Sequence, residues 1–206
     1  MKVNRKRFLK IGARSVLFGA HQFLLHPLFL ALAWTKLYGF PFDPRLWAAF
    51  FLHDVGYIGL ENMDGTEGEV HPALGGKIMA ALFGQQWGDF TKYHSRSFAH
   101  LDQKQPSRLC AADKLATVLV PKRLYLTLIH LSGEVDEYLA SFRGSLVSRG
   151  KYAMEARIVP SEKYGSVDHW YASAMSGNRQ WIVEHSDYTG LQFGDLERWE
   201  SVTEEK

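Results

Sequence analysis

Cysteine is almost absent from this chain: Cys110 is the only one in 206 residues. A lone cysteine excludes an intrachain disulfide and a thiolate-based structural zinc site, and it fits a reducing compartment, so cytoplasmic residence is expected. Within the apolar run Leu109-Cys110-Ala111-Ala112 it reads as an inert core thiol rather than a reactive one. A large excess of charge is lacking too. Lysine and arginine total 24 against 22 aspartates and glutamates, a formal charge of +2. That near-balance gives no reason to expect a stable nucleic-acid complex. No internal repeat, low-complexity tract or long Gly/Ser linker occurs, and strict polar/apolar alternation never persists, which removes the main signature of β-strands. Missing as well is a long uninterrupted apolar run. The basic start (Lys2, Arg5, Lys6, Arg7, Lys10) and the apolar stretch over residues 16–34 look like a signal peptide or anchor. His21, Gln22 and His26 interrupt that stretch, leaving no run of the roughly 18 residues a span requires. A buried first helix is the expected reading, with peripheral membrane contact through the basic arm as its alternative.

What the chain does have is apolar residues returning at three- and four-residue spacing, which predicts an all-α fold, a compact helical bundle with a less regular C-terminal extension. The pattern divides into a helical domain over residues 1–145 and a helical or irregular extension over 146–206 packed on the same core. A first helix is expected over residues 13–37, ending at Gly39 with Pro41 beyond. Asp43 is a good N-cap with Pro44 at the first helical position, opening a helix that delivers His53 and Asp54 at its end. Residues 61–70 read as an acidic loop, and His71-Pro72 starts a helix running to Gly84. Another helix should carry Phe90 and His94, and the next should begin near Ser107 and be stopped by Pro121. Residues 124–142 look like one amphipathic helix with Glu134, Asp136 and Glu137 in its polar share. In the last quarter, Trp170, Trp181 and Trp199 among turn residues such as Gly165, Gly177 and Gly190 predict short wrapping helices, with a frayed end over residues 203–206.

Chemistry is carried by a series: His26, the doublet His53-Asp54, His71, His94 and Asp113. Neutral imidazoles and carboxylates suit divalent zinc, manganese, iron, cobalt and magnesium. The doublet follows the apolar run Ala48-Ala49-Phe50-Phe51-Leu52, and a buried histidine and aspartate together are costly unless something satisfies them, as a metal would. Adjacent residues point about 100° apart on a helix, so the doublet reaches one ion only from a helix end, and Gly56 leaves room for that approach. His21 competes with His26 for the first ligand position. His26 is preferred for its shorter spacing to the doublet, leaving His21 and Gln22 to line the pocket or form a polar rim. Arg96, Lys114 and Arg108 are nearby cations suited to phosphate. Asp64, Glu67 and Glu69 could supply a general acid or base from the loop.

The order His…His-Asp…His…His…Asp resembles the HD-domain superfamily of metal-dependent phosphohydrolases. The likeness rests on Ala48-Ala49-Phe50-Phe51-Leu52-His53-Asp54-Val55-Gly56-Tyr57, His71-Pro72-Ala73-Leu74-Gly75 and Ala112-Asp113-Lys114-Leu115-Ala116, and covers residues 20–120. It implies a helical bundle with His26, His53, Asp54 and Asp113 as metal ligands. His71 and His94 match the added histidines of two-metal members, in which the doublet aspartate bridges. Two features depart from the family: no glutamate follows the doublet closely, and His94 is followed by Ser95 and Arg96 rather than a second histidine. The expected activity is hydrolysis of a phosphate ester of a small molecule or nucleotide, with one or two divalent ions activating water. Asp54 would orient that water, while Arg96 and Lys114 neutralise phosphoryl charge. The alternatives are a di-iron oxygenase of the same fold and a non-enzymatic sensor or scaffold. Homo-oligomerisation is left open.

Overall fold

A computed structural model describes residues 10–63, 67–148 and 165–185. Among these residues every regular element is a helix: α1 (Ile11–Phe18), α2 (Leu25–Tyr38), α3 (Pro44–Leu52), α4 (Pro72–Phe83), α5 (Gln85–Lys92), α6 (Arg96–Leu101), α7 (Arg108–Leu119), α8 (Lys122–Ser132), α9 (Glu134–Ser148) and α10 (Val167–Glu184). Two 3-10 turns, Val55–Tyr57 and Gly68–Val70, lie in the connection between α3 and α4. The all-α expectation is borne out.

The bundle is organised around α7. Leu109, Cys110, Ala111, Ala112, Leu115 and Ala116 are all fully buried, and the small residues among them let neighbouring helices come close. Packed on α7 are α2, α5 and α10; Leu30 of α2 and Met175 and Ile182 of α10 join Phe50 of α3 and Met79 of α4 in one core. Each large side chain buried there contributes about 1.5–3 kcal/mol. Cys110 sits inside this layer, where burial pushes its thiol up to about 11, so the inert reading holds.

Several predicted boundaries are reproduced for the expected reasons. The Asp43 side chain accepts from the Arg45 amide with Pro44 in the first turn of α3, and α4 opens at Pro72 and stops at Gly84. Ser107 precedes α7 and Pro121 follows it.

Three expectations are corrected. The single helix over residues 13–37 is two helices, α1 and α2, separated by a turn. The buried Glu134 carboxylate holds that turn by accepting from the Ala20 amide (3.1 Å), and the Gln22 side chain caps the Leu25 amide (2.9 Å). The helix over residues 124–142 is also two, because Gly133 takes a left-handed conformation (φ 85°) that ends α8. Glu134, expected on the polar face, is therefore at the α8–α9 junction and is fully buried. Finally, the described part of the last quarter is one 18-residue helix, α10, rather than short pieces. The predictions for Gly190, Trp199 and the frayed end fall outside the described residues, as does Asp64.

No helix of the described residues is long and apolar enough to cross a membrane.

Candidate metal centre

Five of the six predicted ligands stand at helix ends or in the turns between helices, where side chains can converge. His26 lies in the first turn of α2, His53 caps the end of α3, and Asp54 opens the following 3-10 turn. His71 precedes Pro72 at the start of α4. His94 was expected on a helix but sits in the turn between α5 and α6, while Asp113 projects from α7 itself. The close approach of the segments carrying His53, Asp54 and His71 depends on glycine: a Cβ at Gly56 would lie 1.9 Å from the His71 carbonyl oxygen.

The six side chains meet in two stations. In the first, His26 Nε2 is 3.0 Å from Asp113 Oδ1 and 3.2 Å from His53 Nε2. His53 Nε2 is in turn 3.1 Å from Asp54 Oδ2 and 3.8 Å from Asp113 Oδ1. In the second, His71 and His94 bring their Nε2 atoms to 3.1 Å from each other, each 3.5 Å from Asp54 Oδ1. Asp54 thus faces one station with each oxygen. Ligands about 2.0–2.2 Å from a shared divalent ion lie about 3–3.6 Å from one another, and every one of these spacings except the 3.8 Å from His53 to Asp113 falls in that range. His26 with His53 and Asp113, and His53 with Asp54 and His94, are groups that could hold a metal ion.

Proton bookkeeping points the same way. The Nδ1 atoms of His53, His71 and His94 face the carbonyls of Phe50 (2.9 Å), Gly68 (2.6 Å) and Thr91 (2.6 Å). A carbonyl only accepts, so each Nδ1 carries a proton, which leaves Nε2 turned inward as the atom that can bind a metal. Two Nε2 atoms 3.1 Å apart need a proton or a metal ion between them. Asp54 Oδ2 is likewise buried without a well-directed donor, although His53 is close.

Burial opposes charge on His53, but the carboxylates of Asp54 and Asp113 outweigh it and push the imidazole up to about 9. Burial also opposes ionisation of those two carboxyls. The charges of His53 and His21 hold Asp54 well below the usual range, and His26 does the same for Asp113 through a hydrogen bond and its charge. Burial and the neighbouring His94 push His71 down to about 3. Without a cation, His53 therefore keeps a proton between two carboxylates, and binding a divalent ion would displace it.

The stations open onto a cavity of about 330 Å³. Arg96 and Lys114 line it, and their cationic groups lie 5.8 and 5.2 Å from the Trp181 ring of α10. Burial, then the Arg96 charge, holds the Lys114 ammonium below its ordinary range. Neither cation has a carboxylate partner among the described residues. Arg108 is exposed over Tyr38 (5.3 Å) and does not line the cavity. Glu69 lines it, whereas Glu67 is exposed and accepts from Asn62. His21 lines it too, its Nδ1 2.9 Å from Ser15 Oγ and 3.8 Å from Glu134 Oε2. Gln22 caps α2 instead of lining the pocket.

Sequence reasoning missed the aromatic wall. Tyr57 stacks on His71 (3.8 Å, 12°), and Trp170 of α10 stacks on Tyr138 (5.1 Å, 10°). Tyr57 follows the doublet by three residues and was legible as part of that stretch. Trp170 reaches the cavity from 57 residues beyond Asp113 in the numbering, and no local pattern marks it.

No protein-family model matches the chain, and no curated protein or solved structure matches it either. What stands on geometry is an all-helical protein with a buried His/Asp cluster compatible with an HD-like metal site.

Proposed function

We propose that this protein is a metal-dependent phosphohydrolase of the HD type, acting on a phosphate ester of a small molecule or nucleotide. The observation that carries the reading is Asp54, shared between the His26/His53/Asp113 and His71/His94 stations and opening onto a cavity lined by two cations that have no carboxylate partner among the described residues. A divalent ion held there supplies Lewis acidity, lowering the pKa of water and offsetting charge on phosphoryl oxygens. The four histidines and two carboxylates hold and orient it, with three of the imidazoles aimed by backbone carbonyls. Arg96 offers a planar fork and Lys114 a compact charge to the phosphate, both lying over the Trp181 ring. Asp54, acidic well below neutral pH, stays an acceptor able to orient the attacking water.

The same nitrogen and oxygen stations suit two irons, so oxygen-dependent oxidation is the second reading. Metal quantification on anaerobically purified protein, paired with a phosphate-release screen over monoesters, diesters and nucleotides, tests both. Hydrolysis with manganese, magnesium or zinc and no need for oxygen is the expected result. Iron content with oxygen-dependent turnover and no phosphate release would overturn it in favour of oxidation. Bound metal with no turnover of either kind would leave a sensor or scaffold.

A further inference from the structure

Four imidazoles belong to the metal stations, and a fifth stands beside them with a different set of partners. His53, His71 and His94 give their Nδ1 protons to backbone carbonyls and turn Nε2 inward, while His26 Nε2 is 3.0 Å from Asp113 Oδ1. His21 lies in the turn between α1 and α2, edge-on to His26 (ring centroids 5.8 Å) and beside Tyr57 (4.9 Å). It lines the same cavity as Asp54 and Lys114.

The ring is held through Nδ1 by a side chain rather than a carbonyl. Ser15 of α1 is fully buried, and its Oγ is 2.9 Å from His21 Nδ1. That hydroxyl has no other hydrogen-bond partner among the described residues. A buried hydroxyl without an acceptor is costly, so Ser15 donates and Nδ1 accepts. Glu134 does not compete for a proton on Nδ1: its Oε2 is 3.8 Å away, beyond hydrogen-bond range, and it already accepts from Tyr138 (3.0 Å). A neutral imidazole that accepts at Nδ1 carries its proton on Nε2. His21 Nε2 has no partner among the described residues, and the side chain stays 23% exposed, so this N–H is left for the cavity. A doubly protonated ring presents the same N–H, and the donor is there in either state. The ligand histidines thus turn inward a nitrogen able to bind a metal, whereas His21 offers one that already holds a proton and suits an anion.

We propose that His21 is a substrate-binding residue whose Nε2–H donates to a phosphoryl oxygen of the ester, with Ser15 as the positioning residue that fixes its tautomer. The identity of the anion rests on the phosphohydrolase reading; the state of the ring rests on Ser15 alone. Arg96 and Lys114 attract the phosphate by charge, and His21 adds a directional, charge-assisted hydrogen bond from the α1–α2 turn, a segment that carries neither cation.

The test uses full-length protein loaded with zinc, with inorganic phosphate as the probe. Nitrogen NMR of ring-labelled histidine under mildly alkaline conditions reads the tautomer. The proton is expected on His21 Nε2, with that signal moving when phosphate is added. In calorimetry, His21→Ala should bind phosphate about tenfold more weakly or worse at wild-type zinc content. His21→Gln keeps an N–H at the end of the side chain and should recover most of the affinity. Ser15→Ala should mix the tautomers and weaken phosphate binding, and Ser15→Thr should restore both. A proton on Nδ1, zinc loss in His21→Ala, or phosphate affinity unchanged in His21→Ala would overturn the proposal and leave the phosphohydrolase reading in place. Wild-type protein that binds no phosphate and releases none from any ester would overturn that reading, and the substrate role of His21 with it.

Discussion

Asp54 joins the two stations, so its loss should be felt in both. Asp54→Ala is expected to remove bound metal from the whole cluster and abolish turnover, read by elemental analysis of purified protein and by phosphate release. Arg96→Ala and Lys114→Ala should instead keep the wild-type metal content while lowering turnover about 10²-fold, the scale for removing one group that stabilises transition-state charge. Metal loss in either cation variant would contradict the separation of roles. At Cys110 the thiol is shifted from 9.0 to about 11. A group whose folded pKa is raised contributes stability that is fully present below the unfolded pKa and is lost as pH climbs through the folded one. Wild-type protein should therefore lose about 2–3 kcal/mol relative to Cys110→Ala between pH 9 and 11, measured by urea unfolding across that range. Parallel pH profiles for the two proteins would refute the burial argument.

Among the elements, the junctions do more for the site than the helices themselves. The Val55–Tyr57 turn lies directly against the start of α4, and Gly56 makes that possible because a Cβ there would meet the His71 carbonyl oxygen at 1.9 Å. Backbone, not a movable side chain, is the obstacle. Gly56→Ala should thus cost about 1–3 kcal/mol and reduce metal occupancy by moving His71 away from Asp54, seen as a lower midpoint in denaturant together with a lower metal-to-protein ratio. A variant with unchanged midpoint and full metal would show that the two segments can separate without harm. Glu134 plays a comparable part at the α8–α9 junction, where it accepts from the Ala20 amide, Ser132 and Tyr138 and so holds open the turn that sets His21 in the cavity and His26 in the cluster.

For the molecule as a whole, the His/Asp cluster draws its side chains from α2, α3, α4 and α7 and from the turns that follow α3 and α5, so a metal held there would tie these segments together. A ligand that binds only the folded state stabilises it by mass action, about 2.7 kcal/mol at one hundred times its dissociation constant. Stripping the protein with a chelator should accordingly lower Tm by about 5–10 °C for a chain of this size, with recovery on adding back manganese or zinc. An unchanged Tm after confirmed metal removal would mean that the removed ion does not tie these helices together. Helix α10 packs into this same core, supplying Met175 and Ile182 to it and Trp170 to the cavity wall.

The sequence alone determined the helical class, because apolar spacing dictates it, and it singled out the six side chains that gather in the His/Asp cluster, because a histidine-aspartate doublet entering an apolar helix demands compensation. Boundaries carried by local chemistry, such as Asp43-Pro44 and His71-Pro72, were equally legible. Only tertiary structure decided where helices break without a local signal. The turn between α1 and α2 exists because Glu134, 114 positions away from Ala20, accepts its amide. The pairing of Asp54 oxygens with separate histidines, and the arrival of Trp170 and Trp181 beside the cavity, were also decided there. Those features depend on contacts between distant segments, and residue spacing along one chain carries no information about which distant partner a side chain will meet.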